Sequence, residues 1–184
     1  MATTTAAATP RKELSGPQWV ARFPTSTSLD DLAPPFRRNV GEFISAIEVA
    51  GGTVRVSATF RPRERAYLMH YAVAVADGSI APSRVPSMAG VDIEWDHGSD
   101  DKSRAAARRM AVGYDIVYPP SLDSRHSERS AIDMTISGVR NKKIRNAAGD
   151  DIQIKHDSDL HRVGSSYGVQ KLRSDPPHWS DNGL

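Results

Sequence analysis

Three side chains able to bind a metal ion, His126, Asp133 and His178, are spread along the second half of this 184-residue chain. They stand in two short stretches, Ser124–Met134 and Asp175–Trp179. A chain that uses them together must fold its C-terminal end back onto residues 124–134, and that demand restricts the fold more than any local propensity does.

The residue types point to zinc with one coordination position open. A hydrolytic zinc takes three protein ligands from His and carboxylate and leaves the fourth place for water, whose pKa it lowers to about 7. Two His and one Asp meet that requirement without thiolate, and the chain contains no cysteine. Strand alternation helps to aim the carboxylate. In Ala131–Ile136 the residues Ile132, Met134 and Ile136 share one face, and Ala131, Asp133 and Thr135 share the other. The apolar face is predicted to enter the core while Asp133 looks into a cleft. Asp175 and Pro176 each precede a proline, which favours extended or polyproline geometry. In such a helix residues three apart point the same way, so Asp175 is predicted beside His178 as a general base.

These residues resemble the zinc D,D-carboxypeptidases and peptidoglycan endopeptidases, a family that includes VanY-like and VanX-like enzymes and the L-alanyl-D-glutamate peptidases of phage lysis. Ser124, His126, Ala131 and Asp133 are similar to its Ser-x-His and Ala-x-Asp signature. Asp175, His178 and Trp179 are similar to its acidic-x-x-His-aromatic signature. Ser57-Ala-Thr-Phe-Arg61-Pro62 is similar to its strand ending in Ser-x-x-x-Arg, where the Arg binds substrate and stabilises the transition state. The resemblance runs from about Gly52 to Ser180. It implies His126, Asp133 and His178 as zinc ligands, Asp175 and Arg61 as catalytic residues, and Ser57, Ser124, Tyr167 and Trp179 as substrate contacts, with Tyr167-Gly168 as an aromatic-Gly wall. It further implies the α+β fold shared with Hedgehog-type domains, a small, mostly antiparallel sheet flanked by helices. One position departs: Arg129 stands three residues after His126, where the family usually has Gly. If the turn there needs positive φ, Arg is a poor fit.

The rest of the chain reads as scaffold. Ser28–Asp31 is a predicted helix cap, and Phe36, Val40, Phe43, Ile44 and Ile47 follow at helical spacing up to Gly51-Gly52. Residues 53–60 alternate as a half-buried strand. Helices are predicted over 63–76, 103–112 and 152–163, a basic hairpin over 139–151, and a strand over 165–172. Residues 79–101 read as loop, and 114–118 as a short apolar segment. His70, His97, His156 and His161 lack ligand spacing and read as ordinary histidines; His156 and His161 are five apart, without the i, i+4 spacing and intervening Glu of a helical zinc pair.

A net charge of +2, with 24 basic and 22 acidic residues, is too small for nucleic-acid binding by charge. No stretch approaches membrane-spanning length. Residues 1–16, rich in Ala and Thr, read as a disordered leader without the apolar core of a secretory signal, and 17–184 as a single peptidase domain. The expectation is therefore a zinc peptidase made in the cytoplasm that reaches the periplasm or cell wall by a borrowed route, as an injected antibacterial effector or a phage-type lysin. Its partners would be the peptidoglycan stem peptide and a secretion apparatus or immunity protein. A catalytically silent zinc module of the same fold, binding cell wall or a protein, is the alternative.

Overall fold

The computed structural model describes residues 12–116 and 120–184. In chain order it contains β1 (Glu13–Leu14), α1 (Pro34–Val49), β2 (Thr53–Ala58), α2 (Arg63–Asp77), β3 (Ile93–Glu94), α3 (Asp100–Gly113) and β4 (Ala131–Ser137). Then follow β5 (Lys143–Arg145), β6 (Asp151–Gln153), α4 (Asp157–Ser166), β7 (Gln170–Lys171) and β8 (His178–Ser180). This is the expected α+β class. Of the leader, residues 1–11 lie outside the described residues, as do 117 and 118 of the short apolar segment. Glu13 and Leu14 pair in parallel with Ile93 and Glu94, so order begins earlier than expected. The described residues form two compact units, one from residues 12–23 with 63–116 and 120–122, the other from Pro24–Pro62 with Asp123–Leu184.

The first unit is helical. α2 buries Leu68, Tyr71 and Val75 and α3 buries Ala107 and Met110, in a core shared with Trp19 and Trp95. Those residues recur at three- and four-residue spacing, which gives each helix one apolar stripe. Trp95 is core, and His97 sits with Nε2 2.9 Å from the Ser15 hydroxyl. His70 places Nδ1 3.0 Å from the Pro120 carbonyl.

The second unit carries the antiparallel sheet, in the order β2-β4-β8-β7. Phe36, Val40, Phe43 and Ile47 form the buried stripe of α1, packed with Ile132 and Met134 of β4 and with Leu160 and Val163 of α4. The predicted apolar face of β4 is thus in the core. Three local expectations change. Ser28 accepts from the Asp30 N–H and caps the 3-10 turn Leu29–Asp31, while α1 starts at Pro34-Pro35, where the fixed φ suits a first turn and no donor is lost. The last helix runs over 157–166 because Asp159 accepts from the N–H groups of Lys155 and His156 at 2.9 Å each and fixes its start there. Of the strand expected over 165–172 only Gln170–Lys171 pairs, because the helix continues to Ser166 and Gly168 turns the chain at φ 75°.

Candidate metal centre

Sheet register brings two of the three predicted ligands together. Asp133 of β4 and His178 of β8 are direct partners in the antiparallel pair, so their side chains leave the same face at the same height. Asp133 Oδ1 is 3.1 Å from His178 Nδ1. Beside them, β2 shifts register between Val56 and Ala58. This bulge leaves Ser57 as the extra residue, and its hydroxyl donates to the Asp133 carbonyl at 3.2 Å. Such irregularities re-aim side chains near functional sites.

His126 arrives from the turn ahead of β4. The N–H groups of Ser127, Glu128 and Arg129 donate to the carbonyls of Ser124, Arg125 and His126 at 2.9, 3.2 and 3.2 Å, winding a tight coil. The Ser124 hydroxyl accepts the His126 N–H at 3.3 Å. The end of β2 then holds the residue twice: the Arg61 N–H donates to the His126 carbonyl at 3.3 Å, and the Thr59 carbonyl lies 2.8 Å from His126 Nδ1. His126 Nε2 reaches Asp133 Oδ1 at 3.1 Å and His178 Nδ1 at 3.2 Å.

The outer contacts decide the protonation of the inner atoms. A carbonyl oxygen only accepts, so His126 Nδ1 must donate to Thr59, which in the neutral, metal-binding imidazole leaves a lone pair on Nε2. By the same logic His178 Nε2 donates to the Leu184 oxygen 3.1 Å away, leaving a lone pair on Nδ1. Three electron-rich atoms, one on an anion, therefore converge in a place where His126 is 2% and His178 7% exposed. Such a group needs a positive charge at its centre. The donor set also fits zinc, since tetrahedral bonds of 2.0–2.1 Å separate ligand atoms by about 3.3–3.4 Å, close to the 3.1–3.2 Å sides of this triangle. Backbone carbonyls on the outer ring nitrogens are the usual means of orienting metal-binding histidines. His126, Asp133 and His178 form the one three-donor group of this kind among the described residues. Burial pushes the Asp133 carboxyl up, but where the inner ring nitrogens of His126 and His178 carry protons instead of a metal, their hydrogen bonds and charge outweigh burial and hold the group well below the ordinary carboxylate range.

The other predicted residues fall in several places. Arg61 lies three residues beyond Ala58, the last residue of β2, and is half-buried. Asp175 is exposed. Its segment is a turn where polyproline geometry was expected: the His178 N–H donates to the Asp175 carbonyl at 3.1 Å, and that carbonyl also accepts from Lys171 Nζ at 2.5 Å. Trp179 points opposite to His178, as alternation requires. It is 2% exposed and packs on Phe43 with ring centroids 5.4 Å apart, so it is chiefly a core residue. Tyr167 hydrogen-bonds the Arg145 carbonyl at 2.9 Å and lines a cavity between α1 and the β5-β6 hairpin that includes none of the three ligands. Ser124 shapes the His126 turn.

A cleft of about 750 Å³ that includes none of the three ligands is lined by Ser57, Met134, Pro177 and Trp179 and by the cations Arg55, Lys171 and Arg173. Sequence reasoning missed these cations. Their signal was weak, since Arg55 is more than a hundred residues from the Lys171–Arg173 pair, and only folding assembles the three. His161, also in the lining, is no ligand. Burial pushes its imidazole pKa down, and the charges of Lys171 and Arg173 lower it further against the pull of Asp157. Burial likewise lowers the Lys171 pKa, opposed by the carboxylates of Asp175 and Asp133.

No protein-family model matches the chain, and no curated protein is significantly similar to it.

Proposed function

We propose that this protein is a zinc-dependent peptidase that hydrolyses an amide bond in the peptidoglycan stem peptide, with the fold of the D,D-peptidase and Hedgehog-type domains. The observation that carries the reading is the buried triangle of His126 Nε2, Asp133 Oδ1 and His178 Nδ1, with both outer ring nitrogens held by backbone oxygens. Three donors rather than four suit a catalytic zinc better than a closed structural one. A zinc ion there would supply Lewis acidity toward the scissile carbonyl and lower the pKa of water to about 7.

The chain's own groups have distinct tasks. Arg61, beside the His126 turn, stabilises the negative charge that develops on the carbonyl oxygen. Asp175, three residues ahead of His178, accepts the proton of the attacking water and delivers it to the leaving amine. The cations of the cleft suit a substrate bearing carboxylates, as wall peptides do. The exposed position of the Asp175 carboxylate favours one rival, a silent zinc module of the same fold. Digestion of purified peptidoglycan by the zinc-loaded protein, followed by mass spectrometry of the muropeptides, separates them. Shortened or unlinked stem peptides that the His126→Ala protein does not produce are the expected result. An unchanged muropeptide profile from protein with stoichiometric zinc would overturn the peptidase reading and favour the silent module.

A further inference from the structure

The β7-β8 turn carries Asp175 and ends at His178, and one side chain gathers its carbonyls. It has three internal backbone bonds, Leu172 N–H to the His178 carbonyl at 3.2 Å, Asp175 N–H to the Leu172 carbonyl at 3.3 Å and His178 N–H to the Asp175 carbonyl at 3.1 Å, and the Met134 N–H donates to the Pro177 carbonyl at 2.8 Å. Pro176 and Pro177 contribute no N–H. One side chain adds three more bonds to those of the backbone. Lys171 Nζ lies 2.5 Å from the Leu172 carbonyl, 2.5 Å from the Asp175 carbonyl and 2.9 Å from the His178 carbonyl. An ammonium has three donors, and all three are used here on one loop. The stem of Lys171 keeps its place beside Trp179, whose ring centre is 5.6 Å from Nζ.

We propose that Lys171 is a positioning residue whose ammonium group closes the Leu172–His178 turn on itself and so presets His178 for metal. This rests on the metal centre described above. The logic is one of coupling. The His178 carbonyl is held by Lys171 and its ring by the Leu184 oxygen, so backbone and imidazole are fixed from opposite sides. Although Lys171 lines the cationic cleft, its donors are already occupied, so its task differs from that of Arg55 and Arg173. Arginine would not replace it, because a planar fork sends its donors in one plane, whereas three carbonyls around a single nitrogen require a pyramidal donor.

The absence of cysteine from the chain permits a direct test. Lys171→Cys is alkylated with 2-bromoethylamine, which rebuilds a lysine-length ammonium, or with iodoacetamide, which leaves a neutral amide. Both proteins are compared with the parent and with Lys171→Met. Zinc affinity is measured by chelator competition, and amide exchange over residues 172–178 is measured in the metal-free proteins. Loss of a group that orients a ligand typically costs about 10- to 100-fold in metal affinity. The neutral adduct and Lys171→Met are expected to show that loss and faster exchange in the turn, and the aminoethyl adduct to recover both. If Lys171→Met does not fold, the two adducts still decide. A neutral adduct with parental exchange and parental zinc affinity overturns the proposal. If the parent binds no zinc while the exchange difference persists, Lys171 still orders the turn, but its link to a metal falls together with the peptidase reading.

Discussion

Asp133 and His178 are opposed partners across β4 and β8, with Oδ1 and Nδ1 3.1 Å apart. Because the pair is fixed by sheet register, two-thirds of the metal set is assembled as soon as the strands dock, and His126 completes it from the preceding turn. Removing His126 therefore takes away one donor without disturbing the strand pair. His126→Ala is expected to lose stoichiometric zinc and all wall-peptide hydrolysis while keeping the parental far-ultraviolet circular dichroism. Metal content after gel filtration checks this. Stoichiometric zinc in the double variant at His126 and His178 would sink the assignment.

The same geometry sets a pH dependence for the metal-free protein. The Asp133 carboxyl is held below its ordinary range by the two histidines, against the push of burial. A depressed folded-state pKa stabilises the fold above the unfolded value, about 3.9 for Asp, and that stability is lost as pH falls through the folded value. The stability gap between the parent and Asp133→Asn, measured by urea unfolding from pH 5 downward, should be widest at pH 5 and shrink below about pH 4. A gap that widens on acidification would contradict the hydrogen-bond assignment.

What was legible in the sequence follows from periodicity. The period-2 pattern of Ala131–Ile136 placed Ile132 and Met134 in the core and Asp133 opposite, and the helical spacing of Phe36, Val40, Phe43 and Ile47 marked α1. The same alternation also assigns Trp179 to the face away from His178, which the analogy with a family motif obscured. The Asp175–His178 turn was not legible, because two prolines fix φ at their own positions but not the path of the chain. The deciding contacts come from Lys171 Nζ and from backbone carbonyls brought in by folding. Thr59 and Leu184, which orient the two imidazoles, act through main-chain oxygens and leave no side-chain signature.

Asp175 and Arg61 should affect turnover and spare the metal, since neither belongs to the donor triangle. Asp175→Asn cannot accept a proton, and general-base losses are typically about 100- to 10,000-fold. Arg61→Ala should lower kcat with zinc content unchanged. Hydrolysis of wall peptide at the parental rate by either variant would remove that residue from the mechanism.

Arg55 and Arg173 line the cationic cleft, and under the proposed function their task would be recognition of substrate carboxylate. Replacing both by Gln is expected to raise KM about tenfold with little change in kcat, since a uniform binding contact is lost rather than one made only in the transition state. The effect should be smaller on a substrate whose carboxylates are amidated. Equal losses on both substrates would show that the arginines do not read charge.

Arg129 occupies the position where the resembling family has Gly, and its backbone does adopt the left-handed conformation, φ 61°. A non-glycine residue held there costs about 1–3 kcal/mol. The side chain offsets part of this: its guanidinium stacks 3.9 Å from the Phe60 ring centre, and Nη1 donates to the Asp31 carbonyl at 2.9 Å. Exposed cation–π contacts contribute about 0.5–1 kcal/mol, so strain and contacts come close to cancelling. Arg129→Gly is accordingly expected to leave unfolding stability within about 1 kcal/mol of the parent, whereas Arg129→Ala, which keeps most of the backbone strain and loses the contacts, should be the less stable of the two. Urea denaturation of the three proteins provides the measurement. A glycine variant less stable than the alanine variant would mean that the left-handed conformation at Arg129 is not a source of strain.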